Sequence, residues 1–198
     1  MENELEQFCQ QTAFQFPRES DSTLQHLEAD VLLRSSFRTM FRPSTISHLS
    51  DLIEEVIVNG AGITEVHASF VSFEGFTERA YRYAEIAVTV MGLWVYAPCA
   101  VEQNVMPRSA FINTSGTPLS NFWWIMARGP SRSMCLFAEQ IPCDCPERRQ
   151  YRGFYTTADQ TAVDALNLLH ATLPDQVPEP AVWSVSATLK QEAVYANV

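Results

Sequence analysis

The sequence has no long hydrophobic run and almost no lysine. No apolar stretch approaches the roughly 20 residues that a helix needs to span a bilayer, so we expect no membrane contact. The basic residues are twelve arginines and Lys190, and the formal net charge at pH 7 is −10. Because so acidic a chain repels phosphate groups, we do not expect it to bind nucleic acid or an anionic membrane directly.

Cysteine is also scarce. The five cysteines are odd in number, and the N-terminus has neither the basic region nor the apolar core of a secretory signal. Both features predict free thiols and a cytoplasmic location. The pair Cys143 and Cys145, with Cys135 as a third thiol, fits the four-ligand spacing of a zinc site poorly, so we predict no bound metal.

The same three thiols have a second interpretation. Arg148 and Arg149 lie close in sequence and would lower the pKa of a neighbouring thiol. Cys135, Cys143 and Cys145 therefore form a hypothetical redox group, with inert loop cysteines as the alternative.

Motifs of catalysis and of nucleotide binding are missing as well. The chain contains no H-E-x-x-H, no G-x-S-x-G, no P-loop and no G-x-G-x-x-G. Its histidines are isolated in separate segments, and no nucleophile can be matched with a base and an orienting group. We therefore predict a non-enzymatic protein without a cofactor, and we keep an uncharacterised enzyme as the weaker alternative.

Strand signals are prominent in the second half of the chain. Residues 122–128 and 133–139 are apolar, aromatic-rich runs joined by Gly129-Pro130-Ser131, which is typical of a β-hairpin. Residues 65–73 alternate with period two, 77–88 have helical spacing and 91–97 form another β-branched, aromatic run. A strand, helix and strand in this order predict a right-handed crossover. Shorter strands are predicted at 109–113, at the sheet edge, and at 151–156.

Helical patterns occupy the remaining segments. We predict a loose helix within 1–16, a helix that Asp21 or Ser22 caps and Pro43 ends, a helix at 46–59 and a final helix that Pro174 ends. The predicted fold is α+β, with a single mixed or antiparallel sheet of about four to five strands packed by helices. We expect an N-terminal helical extension (1–43), one domain (44–174) and a C-terminal tail (175–198).

Arginines cluster late in the sequence. If the hairpin turn and the loop before Tyr151 share one end of the sheet, their guanidinium groups would converge on a phosphate, with Tyr151 or Trp124 stacking on a base. The arginines are Arg128, Arg132, Arg148, Arg149 and Arg152. Arg148 and Arg152 have the R-x-x-x-R spacing of one class of cyclic-dinucleotide receptors, whose partner motif is missing here. Solvated arginines paired with nearby acids are the alternative.

Several segments together resemble the DICT sensory domain of bacterial signalling proteins over about residues 44–173. The resemblance is carried by Phe70 to Glu74, Glu78 to Ala87, Val90 to Tyr96, Leu119 to Gly129, Leu136 to Glu139 and Arg152 to Thr156. The positions that match the recurrent pattern are Phe73, Glu74, Arg82, Tyr83, Trp124, Gly153 and Phe154. This chain departs from the family in the cysteines of its 142–149 loop and in Trp123, where an acidic residue is more usual.

The resemblance implies an α+β sensory domain without known catalytic residues. We therefore expect a cytoplasmic sensory or adaptor protein of bacterial signal transduction, with light or a second messenger as candidate stimulus. It would bind a small ligand, a signalling protein partner or both through the arginine-bearing end of its sheet, and a homodimer is one expected assembly. The alternative is a receptor that holds a cyclic dinucleotide through Arg148, Arg149 and Arg152.

Overall fold

The structure is a computed structural model that describes residues 2–60, 62–98, 106–142 and 149–181. The helices are α1 (Glu2–Ala13), α2 (Asp21–Leu24), α3 (Ala29–Leu32), α4 (Pro43–Val58), α5 (Phe73–Thr89) and α6 (Asp159–Thr172). The strands are β1 (Phe37–Phe41), β2 (Glu65–Ser69), β3 (Gly92–Ala97), β4 (Ser109–Asn113), β5 (Phe122–Gly129), β6 (Arg132–Ile141) and β7 (Gln150–Thr156).

The described strands form one mixed sheet in the order β1-β7-β6-β5-β2-β3-β4. Strand β3 runs parallel to both β2 and β4, and every other pairing is antiparallel. The predicted α+β fold with a single sheet is confirmed, although the sheet has 7 strands and not four to five.

The largest difference from prediction lies before Pro43. We expected a helix that continues to residue 41, because Phe37, Met40 and Phe41 fit helical spacing. The structure instead ends its short helices at Leu32 and forms β1, in which Phe37, Thr39 and Phe41 are buried on one side. Phe37 and Phe41 fit both the helical period of 3.6 and the strand period of two, and pairing with β7 decides in favour of the strand.

The hairpin and the crossover are confirmed. Strands β5 and β6 pair antiparallel from Phe122 opposite Glu139 to Gly129 opposite Arg132. The β2-α5-β3 unit brings two parallel strands side by side. Helix α5 begins earlier than predicted because the Ser72 hydroxyl accepts a hydrogen bond from the backbone N–H of Gly75 at 3.2 Å.

Helices cover both faces of the sheet. On one face, α4 and α5 pack Ile53 and Ile86 against strand residues such as Ile125. On the other, α1 and α6 pack Leu5 and Leu166 against a second cluster. The near-continuous apolar character of β5 and β6 follows from this arrangement, because both of their faces are covered.

The expected boundary at residues 43 and 44 does not separate structural units. Residues 37–41 form an edge strand of the sheet, and α1 packs Leu5 and Cys9 on the sheet beside β6 and β7, so 1–43 is part of the same structural unit. The start of the predicted tail also docks, since Val177 is buried and its carbonyl lies 2.6 Å from Nδ1 of His170. Residues 182–198 lie outside the described part. No described helix combines the length and the apolarity needed to cross a membrane.

Candidate functional site

A cavity lies where the carboxyl end of β2 meets the start of α5. We call it the helix-end cavity; it has a volume of about 180 Å³ and is lined by residues that include Ser50, Glu54, Phe70, Ser72, Arg79 and Trp123. Ligands commonly bind outside the carboxyl ends of parallel strands, where connecting helices begin. Helix α4 closes the cavity from the side.

Glu54 is a buried charged group in the wall of this cavity, which Glu78 and Arg79 also line. Its side chain is only 3% exposed, and Oε1 accepts hydrogen bonds from Nη1 of Arg79 at 2.7 Å and from the Tyr83 hydroxyl at 3.0 Å. Burial raises the pKa of Glu54 above its ordinary value, and the Arg79 charge offsets this only in part. Burial likewise raises the pKa of Tyr83 well above its ordinary value, so the hydroxyl stays a donor.

Further polar groups surround the Glu54 carboxylate. Nη2 of Arg79 donates to the Ser47 hydroxyl at 3.0 Å and also pairs with Asp51. Nε1 of Trp123 donates to the Ser50 hydroxyl at 3.2 Å, which fixes the indole in the cavity wall. The cavity therefore presents a carboxylate, a guanidinium and hydroxyls beside aromatic surface, a combination typical of small-molecule sites.

Neither Glu54 nor Arg79 was predicted as a site residue from the sequence. Glu54 follows Ile53 in the apolar stripe of α4. Its place beside the apolar residues was the only sign in the sequence that its side chain is buried. Arg79 reaches it from a different helix, 25 residues later in the sequence.

A second, larger cavity of about 730 Å³ lies between the β5–β6 turn and α6. Both Arg128 and Arg132 line it, so the structure brings together these two predicted residues. Arg128 is buried, and its guanidinium contacts Asp159 at 3.1 Å, Glu65 at 3.6 Å and the Ala181 carbonyl at 3.3 Å. Since the protein already occupies these donors, Arg128 acts as a structural residue.

The contact with Arg128 changes the pKa of Asp159. Burial alone would raise the pKa of Asp159, but hydrogen bonds from Arg128 and Ser133, together with the Arg128 charge, lower it below its ordinary value. The carboxylate stays ionised and holds the start of α6 against the hairpin.

The predicted convergence of all the arginines is wrong. Glu139, near the far end of β6, pairs with Arg152, whereas Arg132 begins β6 at the turn. At about 3.3 Å per residue, the two arginines are about 23 Å apart along the strand. Arg149 precedes β7 at the Arg152 end, and Arg148 lies outside the described residues. The hairpin turn and residues 142 and 149, which follow β6 and precede β7, thus lie at opposite ends of the sheet.

The aromatic residues predicted to stack on a base are in the core. Trp124 is fully buried and lies against Phe137, with ring centroids 5.9 Å apart. Tyr151 is also buried, on the other sheet face, where its ring meets Trp123 edge-on at 5.7 Å. Neither side chain is placed to stack on a base, so the positions of Trp124 and Tyr151 do not support the alternative of a cyclic-dinucleotide receptor.

The described thiols are buried. Cys135 lies in the core, where burial raises its thiol pKa above the ordinary range. Burial raises the pKa of the Cys9 thiol to about 12, and its Sγ donates to the Arg152 carbonyl at 3.4 Å. A protonated, inaccessible thiol is unreactive, so the setting of Cys135 opposes the redox hypothesis. Cys143 and Cys145 lie outside the described residues.

His67 is a buried residue of β2 on the sheet face that packs against α1 and α6. Its ring stacks on Trp94 with centroids 4.4 Å apart, and Nδ1 lies 2.8 Å from the Tyr96 hydroxyl. Burial lowers the pKa of His67, although Glu65 opposes this shift, so the ring is neutral. Within the described ranges, no three His, Cys, Asp or Glu side chains are grouped so that they could hold a metal ion.

The positions that carry the DICT resemblance have different environments. Tyr83 bonds to Glu54, while Phe73 and Glu74 form the first turn of α5 beside the helix-end cavity. Arg82 is half-exposed and pairs with Glu85 at 3.2 Å. Gly153 and Phe154 lie in β7 within the sheet. Of the seven positions, Tyr83 is thus the one that touches the buried carboxylate.

Comparison with known proteins provides no relative for this chain. No family model matches the sequence, no curated protein matches it, and no solved structure matches it. The resemblance to the DICT domain rests on the residues quoted above and stays a prediction.

Proposed function

We propose that this chain is a non-enzymatic sensory or adaptor module that binds a small zwitterion, of the size of a simple amino acid, in the helix-end cavity. One observation carries the proposal: Glu54, a carboxylate that is 3% exposed, is held by Arg79 and Tyr83 in the wall of that cavity. Buried ionisable groups with shifted pKa values inside a cavity are typical of functional sites.

The size and charge of the cavity support the ligand class. Its volume of about 180 Å³ equals that of about six water molecules at liquid density, which is too small for a nucleotide. Glu54 offers a negative charge to an ammonium group. The N-terminus of α5, where backbone N–H groups concentrate positive potential, offers a site for a carboxylate. Arg79 adds positive charge there, although its donors already contact Glu54, Ser47 and Asp51, so a ligand carboxylate would compete with these groups.

A sensory role needs a change that another protein can detect. Glu54 and Arg79 join α4 to α5, so a ligand that competes for either group would alter the packing of these two helices. This coupling, together with the DICT resemblance, supports a role in bacterial signal transduction in which a signalling protein reads the ligand-bound state.

Calorimetry with alanine and glycine as probes tests the ligand. We expect saturable binding to the wild-type protein and at least about tenfold weaker binding to Glu54→Gln, because loss of one charged hydrogen-bond partner costs about 1.5–3 kcal/mol. Glu85→Gln, on the outer surface of α5, is the matched control and should bind like the wild type. Equal binding by all three proteins, or no saturable heat with either probe, would count against the site.

The sensory part needs its own measurement. The probe should be recovered unchanged after incubation with the protein, and affinity capture from a bacterial lysate should retain a different set of proteins with and without alanine. A turnover product would instead favour the enzyme alternative. Deletion of residues 1–42 is unsuitable for this test because it removes β1 from the sheet.

A further inference from the structure

A third cavity contains three arginines from separate parts of the chain. It has a volume of about 320 Å³, lies beside the C-terminal end of α1, and is lined by residues that include Phe14, Arg18, Arg38, Met40 and Arg152. We call it the arginine cleft. It is distinct from the helix-end cavity, which lies between α4 and α5 and shares no lining residue with it.

Backbone hydrogen bonds fix the positions of two of these arginines. The N–H of Arg38 donates to the Pro17 carbonyl at 2.8 Å, and the N–H of Glu19 donates to the Arg38 carbonyl at 3.0 Å. The segment around Arg18 is thereby held along the free edge of β1. Arg18 and Arg38 are therefore placed by the fold and not by a flexible loop.

The third arginine comes from the neighbouring strand. Met40 of β1 is opposite Arg152 of β7, so Arg38 and Arg152 are diagonal neighbours on the sheet. Diagonal neighbours in antiparallel strands lie about 7–8 Å apart. This spacing allows both guanidinium groups to contact one small anion.

The charges in the arginine cleft are only partly neutralised. Arg152 pairs with Glu139 at 2.7 Å and with Glu6 at 3.7 Å. Among the described residues, neither Arg18 nor Arg38 makes an ion pair. In addition, Nε of Arg152 is buried and has no hydrogen-bond partner in the described structure. A chain with a net charge of −10 thus presents two unneutralised guanidinium groups in one cavity.

An exposed aromatic ring completes the arginine cleft. Phe14 is 75% exposed, and the guanidinium carbon of Arg38 lies 4.6 Å from the centre of its ring. A largely exposed phenyl ring next to a cation is suited to a ligand with a planar ring, because ring stacking and cation–π contacts combine there.

We propose that the arginine cleft binds the phosphate monoester of a ligand that also carries a planar ring. The charge of about −2 on such a group matches the two unneutralised guanidinium groups, and its three acceptor oxygens suit their forked donors. The ring would lie on Phe14. This inference does not depend on the ligand of the helix-end cavity.

Titration of the full-length protein with adenosine 5′-monophosphate (AMP) and with adenosine tests the proposal. We expect saturable binding of AMP and none of adenosine, and AMP affinity that falls about tenfold in both Arg38→Gln and Arg18→Gln. Arg132→Gln is the control, because this arginine lies at the opposite end of the sheet, and it should bind like the wild type.

Three results would overturn the assignment: AMP that does not saturate, adenosine that binds as tightly as AMP, or Arg18→Gln and Arg38→Gln proteins that bind like the wild type. Phe14→Leu should weaken AMP binding about fivefold or more while keeping an apolar side chain, since aromatic stacking is worth about 1–3 kcal/mol per base. Because Arg18 and Phe14 are exposed, we expect their variants to fold like the wild type, so the test does not depend on Arg38→Gln alone.

Discussion

Arg79 of α5 donates a hydrogen bond from Nη1 to Oε1 of Glu54 on α4 across 2.7 Å. The same carboxylate oxygen accepts the Tyr83 hydroxyl, so a single buried group connects two helices on one face of the sheet. Because both donors depend on it, the Glu54 carboxylate should matter to stability as well as to ligand binding.

Replacing Glu54 by alanine should lower the free energy of unfolding by about 2–3 kcal/mol, because the buried Tyr83 hydroxyl and part of the Arg79 charge lose their acceptor. Urea denaturation followed by circular dichroism measures the change. Glu85→Ala is the control: its pair with Arg82 is half-exposed, so the loss should stay within about 0.5 kcal/mol. Similar losses in the two variants would show that the Glu54 contact adds nothing beyond an exposed pair.

Stability should also depend on pH through Glu54. Burial raises the folded-state pKa above the ordinary value of 4.5, so the folded protein binds more protons than the unfolded chain in the interval between the two values. The contribution of Glu54 is therefore fully present below 4.5 and is lost as pH rises through the raised pKa.

Urea denaturation of the wild type and Glu54→Gln between about pH 4 and 7 checks this sign. The stability of the wild type relative to the variant should fall as pH increases and then level off. A difference that stays constant would mean that Arg79 cancels the effect of burial on the pKa of Glu54, and one that grows with pH would mean that Arg79 outweighs it.

Gly153→Ala should destabilise the sheet. A Cβ atom at this position would lie 2.2 Å from the Phe137 carbonyl oxygen and 2.6 Å from Cα of Ala138, which are backbone atoms that cannot move aside easily. Such overpacking costs about 1–3 kcal/mol, measurable as a lower urea midpoint. Gly75→Ala is the control, because its Cβ would meet only the Ser72 hydroxyl at 3.6 Å. Equal midpoints for the two variants would contradict the crowding at Gly153.

The thiols of Cys9 and Cys135 should resist alkylation in the folded protein. Both side chains are buried, and burial keeps both thiols protonated at neutral pH. Mass spectrometry after treatment with iodoacetamide should find both unlabelled in native buffer and labelled in guanidinium chloride. Rapid native labelling of Cys135 would restore the redox hypothesis for this residue.

Local patterns were sufficient for most of the elements. The periodicity of α4 and the turn residues at Gly129 and Pro130 predicted a helix and a hairpin that the structure contains. The parallel pairing of β2 and β3 through α5 was also predictable, since it follows from strand–helix–strand order. Strand β1 was not predictable, because its sequence fits both the helical period of 3.6 and the strand period of two. Only the pairing with β7 distinguishes a strand from a helix at these five residues.

The functional residues were far less predictable than the fold. Arg132 and Arg152, which were expected to converge, are separated because β6 is 10 residues long, with Arg132 at its start and Glu139, opposite Arg152, near its end. Conversely, Arg18, Arg38 and Arg152 share a cleft although no local pattern connects them.

By itself, the order of apolar and turn residues determined that this chain forms helices over a single sheet, since burying apolar side chains depends on local periodicity. Only the tertiary structure decided which charges meet: Glu54 with Arg79 across two helices, and Arg18 with Arg38 along one strand edge. The physical reason is that charged side chains gain or lose partners through strand length, direction and pairing, which act between residues distant in sequence.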